Sequence, residues 1–264
     1  MTTRAKKLPS KKKTVLCLRT VAADGTAYDG FKWPALGFVE ASDWKPTAKC
    51  GNGLHGYLRG CGDAGSIDWN GLFQVVKVIE SEIVDLDGKV KFPRCEVIFT
   101  GNQKDATDIL VKEYGSGSNV IGATVVVNGR RQYAIAGYSG TATSTGNYGT
   151  ATAGYHGTAT SAGHCGTATS AGYYGMAMAG DRGTAMAGYG GTATTGKFGT
   201  ATAGDGGTAT AGHYGTATVG VMGRISILYW DGQRSREVIG YIGENGLEPN
   251  VPYKLNDKHE FVKA

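Results

Sequence analysis

Gly199-Thr200-Ala201-Thr202-Ala203-Gly204-Asp205-Gly206, followed at once by Gly207-Thr208-Ala209-Thr210-Ala211-Gly212-His213-Tyr214, is one phrase written twice. The phrase, Gly-Thr-Ala-Thr-Ala-Gly and two variable residues, recurs with small changes from Ala136 to Met222. Its core begins at Gly140, Gly149, Gly157, Gly166, Gly175, Gly183, Gly191, Gly199, Gly207 and Gly215, with a degenerate start at Gly223. The steps are eight residues, with nine at three early places. Self-similarity at a fixed short period marks a solenoid, in which each unit buries its inner face only by stacking on its neighbours.

Thr-Ala-Thr alternates with period two, and threonine is β-branched, so each octad reads as a short strand between glycine corners. Alternate side chains of a strand face opposite sides. Either alanine points inward and threonine outward, or the reverse. Alanine inward is the expectation, because small residues let two sheets approach closely. The variable pairs set the length of a coil. Tyr138, Tyr155, Tyr173 and Tyr189 open four successive alternate pairs, and no intervening pair opens on tyrosine. A coil of two octads stacks these four as a ladder at a rise of ~4.8 Å. Ten octads then form five coils, a stack ~24 Å long. Met176 and Met178 replace both threonines of one octad, and Met186 replaces one of the next. On the two-octad coil these fall at the centres of opposite faces. Outward methionines suit adaptable protein contacts; the other reading is inward threonine with methionine filling gaps.

Upstream, strands are predicted over residues 14–21, 37–40, 72–79 and 82–86. Asp87-Gly88 turns the chain into a strand over residues 89–99, in which Pro93 suggests an edge position. Asn102 is placed to cap a helix whose apolar side carries Ala106, Ile109, Leu110 and Tyr114. Asn128-Gly129 between two apolar runs reads as a hairpin that opens the array. Downstream, residues 225–230 and 237–242 read as strands around Asp231-Gly232, with Leu255, Phe261 and Val262 as further anchors. The expected fold is mainly β. A basic tail (residues 1–13) and a small α+β domain (14–118) precede a two-sided β-solenoid of about sixteen residues per coil (119–222). A C-terminal β cap (223–264) covers strand edges that would otherwise recruit other molecules.

The formal charge is +5, from 27 basic and 22 acidic residues. Arg4, Lys6, Lys7, Lys11, Lys12 and Lys13 supply six of those positive charges, which leaves the rest of the chain at −1. The basic character therefore belongs to a tail too poor in apolar residues to fold by itself. Lys6, Lys7, Lys11, Lys12 and Lys13 are the candidate contacts for nucleic acid or another acidic partner, and the body offers none. The array sets Asp181 and Asp205 against Arg182 and Lys197, which is no charge ladder for mimicking DNA. No apolar run reaches the ~20 residues of a membrane span, so no membrane partner is expected. The five cysteines are odd in number and scattered, which points to a reducing compartment rather than a disulfide framework.

The array is similar to two known groups. Ala187-Gly188-Tyr189-Gly190-Gly191-Thr192-Ala193-Thr194 resembles the Ala-Gly-Tyr-Gly-Ser-Thr-x-Thr phrase of ice-nucleation proteins. Those have sixteen-residue coils, a Thr-x-Thr row and a tyrosine ladder. The overall order resembles uncharacterised phage and gut-bacterial proteins with an N-terminal Cys-x-x-Gly-x-His segment before Gly-x-Ala-Thr-Ala-Gly octads. Cys50-Gly51-Asn52-Gly53-Leu54-His55 matches that segment. This second resemblance implies a phage or prophage origin and assigns no activity.

Cys50, His55 and Cys61, with Cys17 or Cys95 as a fourth, are the candidate metal ligands, although their spacing lacks paired Cys-x-x-Cys knuckles. Buried thiols beside a structural histidine explain the same residues without metal. No glycine cluster follows a strand and opens a helix as a phosphate-binding loop does. The array also lacks the repeated aspartate of calcium-binding nonapeptides. No cofactor is expected. The leading expectation is a non-enzymatic, phage-type structural or interaction protein, in the cytoplasm of a host cell or in a virion. Its solenoid would bind a phage or host protein, or another copy of itself, through Met176, Met178, Met186 and the tyrosine edge Tyr138, Tyr155, Tyr173 and Tyr189. The alternatives are an ice-organising surface of Thr-x-Thr rows, and a small enzymatic or metal-binding domain around His55.

Overall fold

A computed structural model describes residues 7–9, 12–27 and 30–264. The chain forms two compact units, with the division between Ala123 and Thr124. Among the described residues, the first contains one seven-stranded sheet and one α-helix. Its strands are β1 (Thr14–Val21), β2 (Gly37–Glu40), β3 (Leu54–Leu58), β4 (Leu72–Ile79), β5 (Val84–Asp85), β6 (Val90–Phe92) and β7 (Arg94–Gly101), and its helix is α1 (Gln103–Tyr114). The sheet order is β2-β7-β4-β1-β3-β6-β5.

Pro93 alone joins β6 to β7, yet β4, β1 and β3 lie between them in the sheet. Two residues of chain reach at most ~7 Å, whereas four strand steps across a flat sheet cover ~19 Å. The sheet is therefore rolled, and Pro93 is the corner that closes it. This corrects the single strand expected over residues 89–99: Pro93 divides two strands, and β7 is interior, between β2 and β4. The segment 82–86 is likewise a 3-10 turn at Glu80–Glu82 followed by the two-residue β5. The roll encloses Cys17, Leu54, Val76, Val78, Phe92 and Cys95. Asn102 caps α1 as the sequence implies, its side chain accepting the Asp105 amide at 2.9 Å. Ala106 and Leu110 are buried, and the Tyr114 hydroxyl accepts the Leu16 amide at 2.8 Å, which fastens the helix to β1.

The second unit is a β-solenoid of about six turns at a spacing of ~17 residues. Sheet 1 takes β8 (Thr124–Val127), β10 (Thr141–Ser144), β12 (Thr158–Ser161), β14 (Met176–Ala179), β16 (Thr192–Thr195) and β18 (Thr208–Ala211). Sheet 2 takes β9 (Tyr133–Ala136), β11 (Thr150–Ala153), β13 (Thr167–Ser170), β15 (Thr184–Ala187), β17 (Thr200–Ala203) and β19 (Thr216–Val219). All pairings within these two sets are parallel and in register, threonine beside threonine and alanine beside alanine wherever the repeat is intact. Sheet 1 ends in the antiparallel pair β20 (Arg224–Trp230) and β21 (Ser235–Tyr241). Sheet 2 ends in β22 (Tyr253–Leu255) and β23 (Phe261–Lys263), so two antiparallel hairpins form the cap. The expected opening hairpin is corrected. β8 pairs with β10 and β9 with β11, one in each sheet, so Asn128-Gly129 lies in the link between the sheets that completes the first coil.

Alanine faces inward. Ala142, Ala151, Ala159, Ala168, Ala177, Ala185, Ala193, Ala201, Ala209 and Ala217 are all 0% exposed. A methyl contributes only ~0.8 kcal/mol on burial, so the backbone ladders and the close fit of the two sheets carry much of the stack. The fit is tight at the corners: a Cβ at Gly163 would sit 2.2 Å from the Gly146 carbonyl oxygen of the preceding coil. Serines also enter the core, where their hydroxyls donate to corner carbonyls, Ser161 to Gly149 at 2.9 Å and Ser170 to Gly157 at 3.0 Å.

The second residue of every variable pair is left-handed. Ser139, Tyr148, His156, Cys165, Tyr174, Arg182, Phe198, Tyr214 and Met222 have φ between 51° and 60°, and Gly190 and Gly206 occupy the same place. From Ser139 to Gly206 this conformation aims the amide at the next coil: Tyr148 N–H donates to His164 O at 2.9 Å, Cys165 to Asp181 O at 2.9 Å and Phe198 to His213 O at 2.9 Å. A branched Cβ is the poorest tenant of such a corner. Replacing Cys165 by valine is expected to destabilise the solenoid by about 1–2 kcal/mol, and replacing it by glycine to cost much less. Thermal unfolding followed by circular dichroism checks the order of the two variants.

Candidate functional site

Outward alternation leaves a grid of threonines on each side of the solenoid. On sheet 2 one column runs Thr150, Thr167, Thr184, Thr200 and Thr216 without interruption. The column beside it runs Thr152, Thr169, Met186, Thr202 and Thr218. On sheet 1 the columns are Thr141, Thr158, Met176, Thr192, Thr208 and Thr143, Thr160, Met178, Thr194, Thr210. The methionines thus sit on the central strands of opposite faces, as the two-octad coil requires, with Met176 and Met186 exposed and Met178 half-buried. The faces are unequal. Sheet 1 loses a whole row of threonines, and sheet 2 loses one side chain.

The tyrosine ladder is formed. Tyr138 stacks on Tyr155 with ring centroids 6.3 Å apart, Tyr155 on Tyr173 at 5.6 Å, and Tyr173 meets Tyr189 at 5.3 Å, tilted by 57°. A second file, invisible in the alternation of tyrosines, runs beside it: His156 stacks on Tyr174 at 5.8 Å. The opposite corner is mixed, with Phe198 stacked on Tyr214 at 5.2 Å and Arg182 over the Phe198 ring. Three acidic or amide residues there and across the coil act as staples between turns. Asn147 Oδ1 accepts the His164 amide at 3.0 Å, Asp181 Oδ1 the Lys197 amide at 2.8 Å, and Asp205 Oδ1 the Val221 amide at 2.9 Å. Two signals for this corner chemistry lay in the sequence. The second variable position never holds a β-branched residue or proline, and the first holds Asn or Asp three times.

The candidate metal ligands do not converge. Cys61 Sγ donates to its neighbour's carbonyl, Arg59 O, at 3.7 Å, and Cys50 is an exposed free thiol. Among the described residues no group of three His, Cys, Asp or Glu side chains is placed to hold a metal ion. Cys17 and Cys95 lie in the apolar roll, where burial pushes the Cys17 thiol up to about 12 and the Cys95 thiol also upward. They are small apolar core residues at neutral pH. His55 has a structural part. On β3, its Nε2 accepts the Gly51 amide at 3.4 Å, while its register partner, the fully buried Lys91, donates from Nζ to Lys49 O at 2.7 Å and Gly51 O at 3.1 Å. The two side chains pin the loop that contains Cys50, which accounts for the Cys-x-x-Gly-x-His spacing without metal. Gly53, in the same segment, faces Trp44 so closely that a Cβ would lie 2.8 Å from the indole.

Of the basic tail, Lys6 and Lys11 lie outside the described residues. Lys12 pairs with Glu82 at 2.9 Å and Lys13 with Glu80 at 2.8 Å, and Lys7 is exposed. Glu82 is held down to about 2, first by its two hydrogen bonds from Arg94 and then by Lys12. Two of the five lysines proposed for an acidic partner are thus engaged by carboxylates of their own domain. No helix among the described residues is long and apolar enough to cross a membrane.

An in-register, two-sided coil with outward Thr-x-Thr rows and a stacked tyrosine file is a specific combination. The array is similar to the repeats of ice nucleation proteins. The chain is 37% identical over 119 residues to an ice nucleation protein of Pseudomonas fluorescens, 42% of this chain and 10% of that protein. It is 37% identical over 100 residues to one from Xanthomonas campestris pv. translucens, 36% of this chain and 6% of that protein. One from Pseudomonas syringae is 36% identical over 99 residues, 36% of this chain and 8% of the relative. The chain spans a tenth or less of the length of these curated relatives. No family model and no solved structure matches the chain. The resemblance to phage and gut-bacterial proteins gains no support from these comparisons. The expected location in a host cytoplasm or a virion is corrected by them, because these relatives are bacterial ice nucleation proteins and none of the three is a phage protein.

Half-burial and the positive charges of Lys89, Lys91 and Arg19 hold the His55 imidazole below its ordinary range. Since the folded state favours the neutral ring, its contribution is complete above the unfolded value of ~6.5 and declines as the pH falls below it. Melting temperatures of the whole chain between about pH 8 and pH 5 are expected to fall, and less steeply in a His55→Gln variant. Identical slopes for the two would assign the acid sensitivity elsewhere.

Proposed function

We propose that the solenoid is an ice-organising surface, with the sheet 2 face as its working side. The observation that carries this reading is the unbroken column Thr150, Thr167, Thr184, Thr200 and Thr216 with its nearly complete neighbour. Parallel pairing in register repeats the side chains every ~4.8 Å across the strands and ~6.6 Å along them. Each threonine presents one hydroxyl and one methyl on a stiff, β-branched χ1. Such a surface holds water through hydroxyls at fixed places and keeps the spaces between them apolar, where long flexible side chains would blur the order. The similarity to proteins named for ice nucleation supports the same reading. Those relatives are far longer, so the reading takes from them the type of surface and not its potency. No bond-making step belongs to this function.

The purified chain is expected to show thermal hysteresis or raised droplet-freezing temperatures. The pair Thr184→Tyr and Thr200→Tyr is expected to remove at least half of that effect with an unchanged melting temperature, since tyrosine is at home in strands. Met186→Thr, which completes the second column, is expected to increase it. Absence of any effect on freezing in the unmodified chain would end this reading.

A second reading rests on the sheet 1 face. Met176 and Met178 stand side by side at its centre, the adaptable apolar pair suited to a protein contact or to self-association. The double change of Met176 and Met178 to serine is expected to lower the sedimentation coefficient of any oligomer at fixed concentration. Equal sedimentation of both chains would remove the methionine pair from any self-contact.

A further inference from the structure

The geometry points to a carbohydrate-binding site in the C-terminal cap, shaped for a single uncharged pyranose ring. A cavity of about 230 Å³ lies where the end of β20 meets the turn between β22 and β23. That is smaller than the ~300–1,000 Å³ of typical drug-sized ligand sites, and it matches one sugar ring. Ile227 forms an apolar floor, Tyr214, Tyr229 and Trp230 supply rings, and Asp257 and His259 stand at the rim.

Two of these aromatic rings are left at the surface. Trp230 is 56% exposed and Tyr214 78% exposed, although both sit beside a cap whose task is to shield apolar groups. Broad, amphipathic rings left at the surface beside a concavity are the residues that binding sites use for area at low entropic cost. A pyranose offers the complement, with C–H groups on its two faces and hydroxyls around its edge.

The site is also held ready. Tyr229 and His259 stack with centroids 3.8 Å apart and planes inclined by 21°, which joins a strand of sheet 1 to a turn of sheet 2. His259 is left-handed, with φ of 62°, and its amide donates to Asn256 O at 2.9 Å. Asn256 Oδ1 accepts the amides of Lys258 and Glu260, each at 2.9 Å, and its Nδ2 donates to Glu260. Asn256 is therefore spent in fixing the turn. His213 Nε2 is paired with Ser235 Oγ at 3.0 Å on the other side. The ordering that a mobile turn would need on binding has already been met by the fold.

The polar groups favour a neutral ligand. Asp257 accepts, His259 offers a donor and an acceptor on its ring, and the Tyr229 hydroxyl does both. A quaternary cation would also stack on such rings, but it has a single carboxylate to meet and two imidazoles beside it. The inference is independent of the threonine faces, which lie on other surfaces of the same unit.

The test is ligand-detected saturation-transfer NMR and titration calorimetry on the full chain. The probes are glucose, galactose, N-acetylglucosamine and tetramethylammonium chloride. Saturable binding of at least one sugar is expected, with transfer concentrated on the ring C–H protons. Trp230→Ala and Asp257→Asn are each expected to weaken it about tenfold or more, with melting temperature retained. Tyr173→Ala, an exposed ring outside the cap, is expected to leave it unchanged. Three results would overturn the assignment: no binding of any of the three sugars, equal binding by the Trp230→Ala chain, or preference for tetramethylammonium.

Discussion

A core built of small side chains governs the solenoid. Ten alanines that meet across the interior at 0% exposure bring the sheets so close that nothing larger than a small side chain fits between them. The contribution of each methyl is small, so stability has to come from unbroken parallel ladders and from corners that turn without slack. Glycines such as Gly163 follow from that requirement, because their hydrogens lie where a Cβ would strike the coil below. Regularity follows as well. With an inner layer of small residues, coils stack in strict register, and the outer residues inherit a regular grid.

Register makes a repeated threonine into a surface. An isolated threonine on a strand organises little. Five in one column, each on a parallel neighbour, form an array whose spacing is set by backbone hydrogen bonds rather than by side-chain packing. The interior and the threonine-bearing exterior are therefore two consequences of one alternation. The methionines show how this can be specialised. On sheet 2 a single Met186 leaves one column whole, whereas Met176 and Met178 cut through both columns of sheet 1. Two faces with the same backbone thus have different surfaces.

The remaining parts manage the ends and edges. The antiparallel hairpins β20–β21 and β22–β23 end the parallel stack in strands of another direction, and the polar turn at Asn256 stands over their aromatic side. In the first unit, Lys91 and His55 spend their polarity on the backbone of one loop. A segment that looked like a set of ligands is thereby a fastening. Desolvation explains the same shift from chemistry to structure at Cys17 and Cys95, whose thiols are kept protonated by the apolar roll around them.

The sequence by itself determined the solenoid, its two-octad coil, the tyrosine file and the central placing of the methionines. These properties depend on period, and a period of two within strands and sixteen or seventeen between coils is legible in a single chain. It also located the cap of α1 at Asn102 and the strand pair around Asp231, where local turn and capping chemistry decides. Tertiary structure alone decided three other matters. Pro93 divides two strands because a rolled sheet brings distant positions together, a closure that no local pattern records. Asn128-Gly129 lies between the two sheets, rather than closing a hairpin, because each flanking strand finds a better partner one coil away. The left-handed corners, the staples of Asn147, Asp181 and Asp205, and the cavity beside Trp230 arise between residues some sixteen or more positions apart. Only the stacked coil sets those residues side by side.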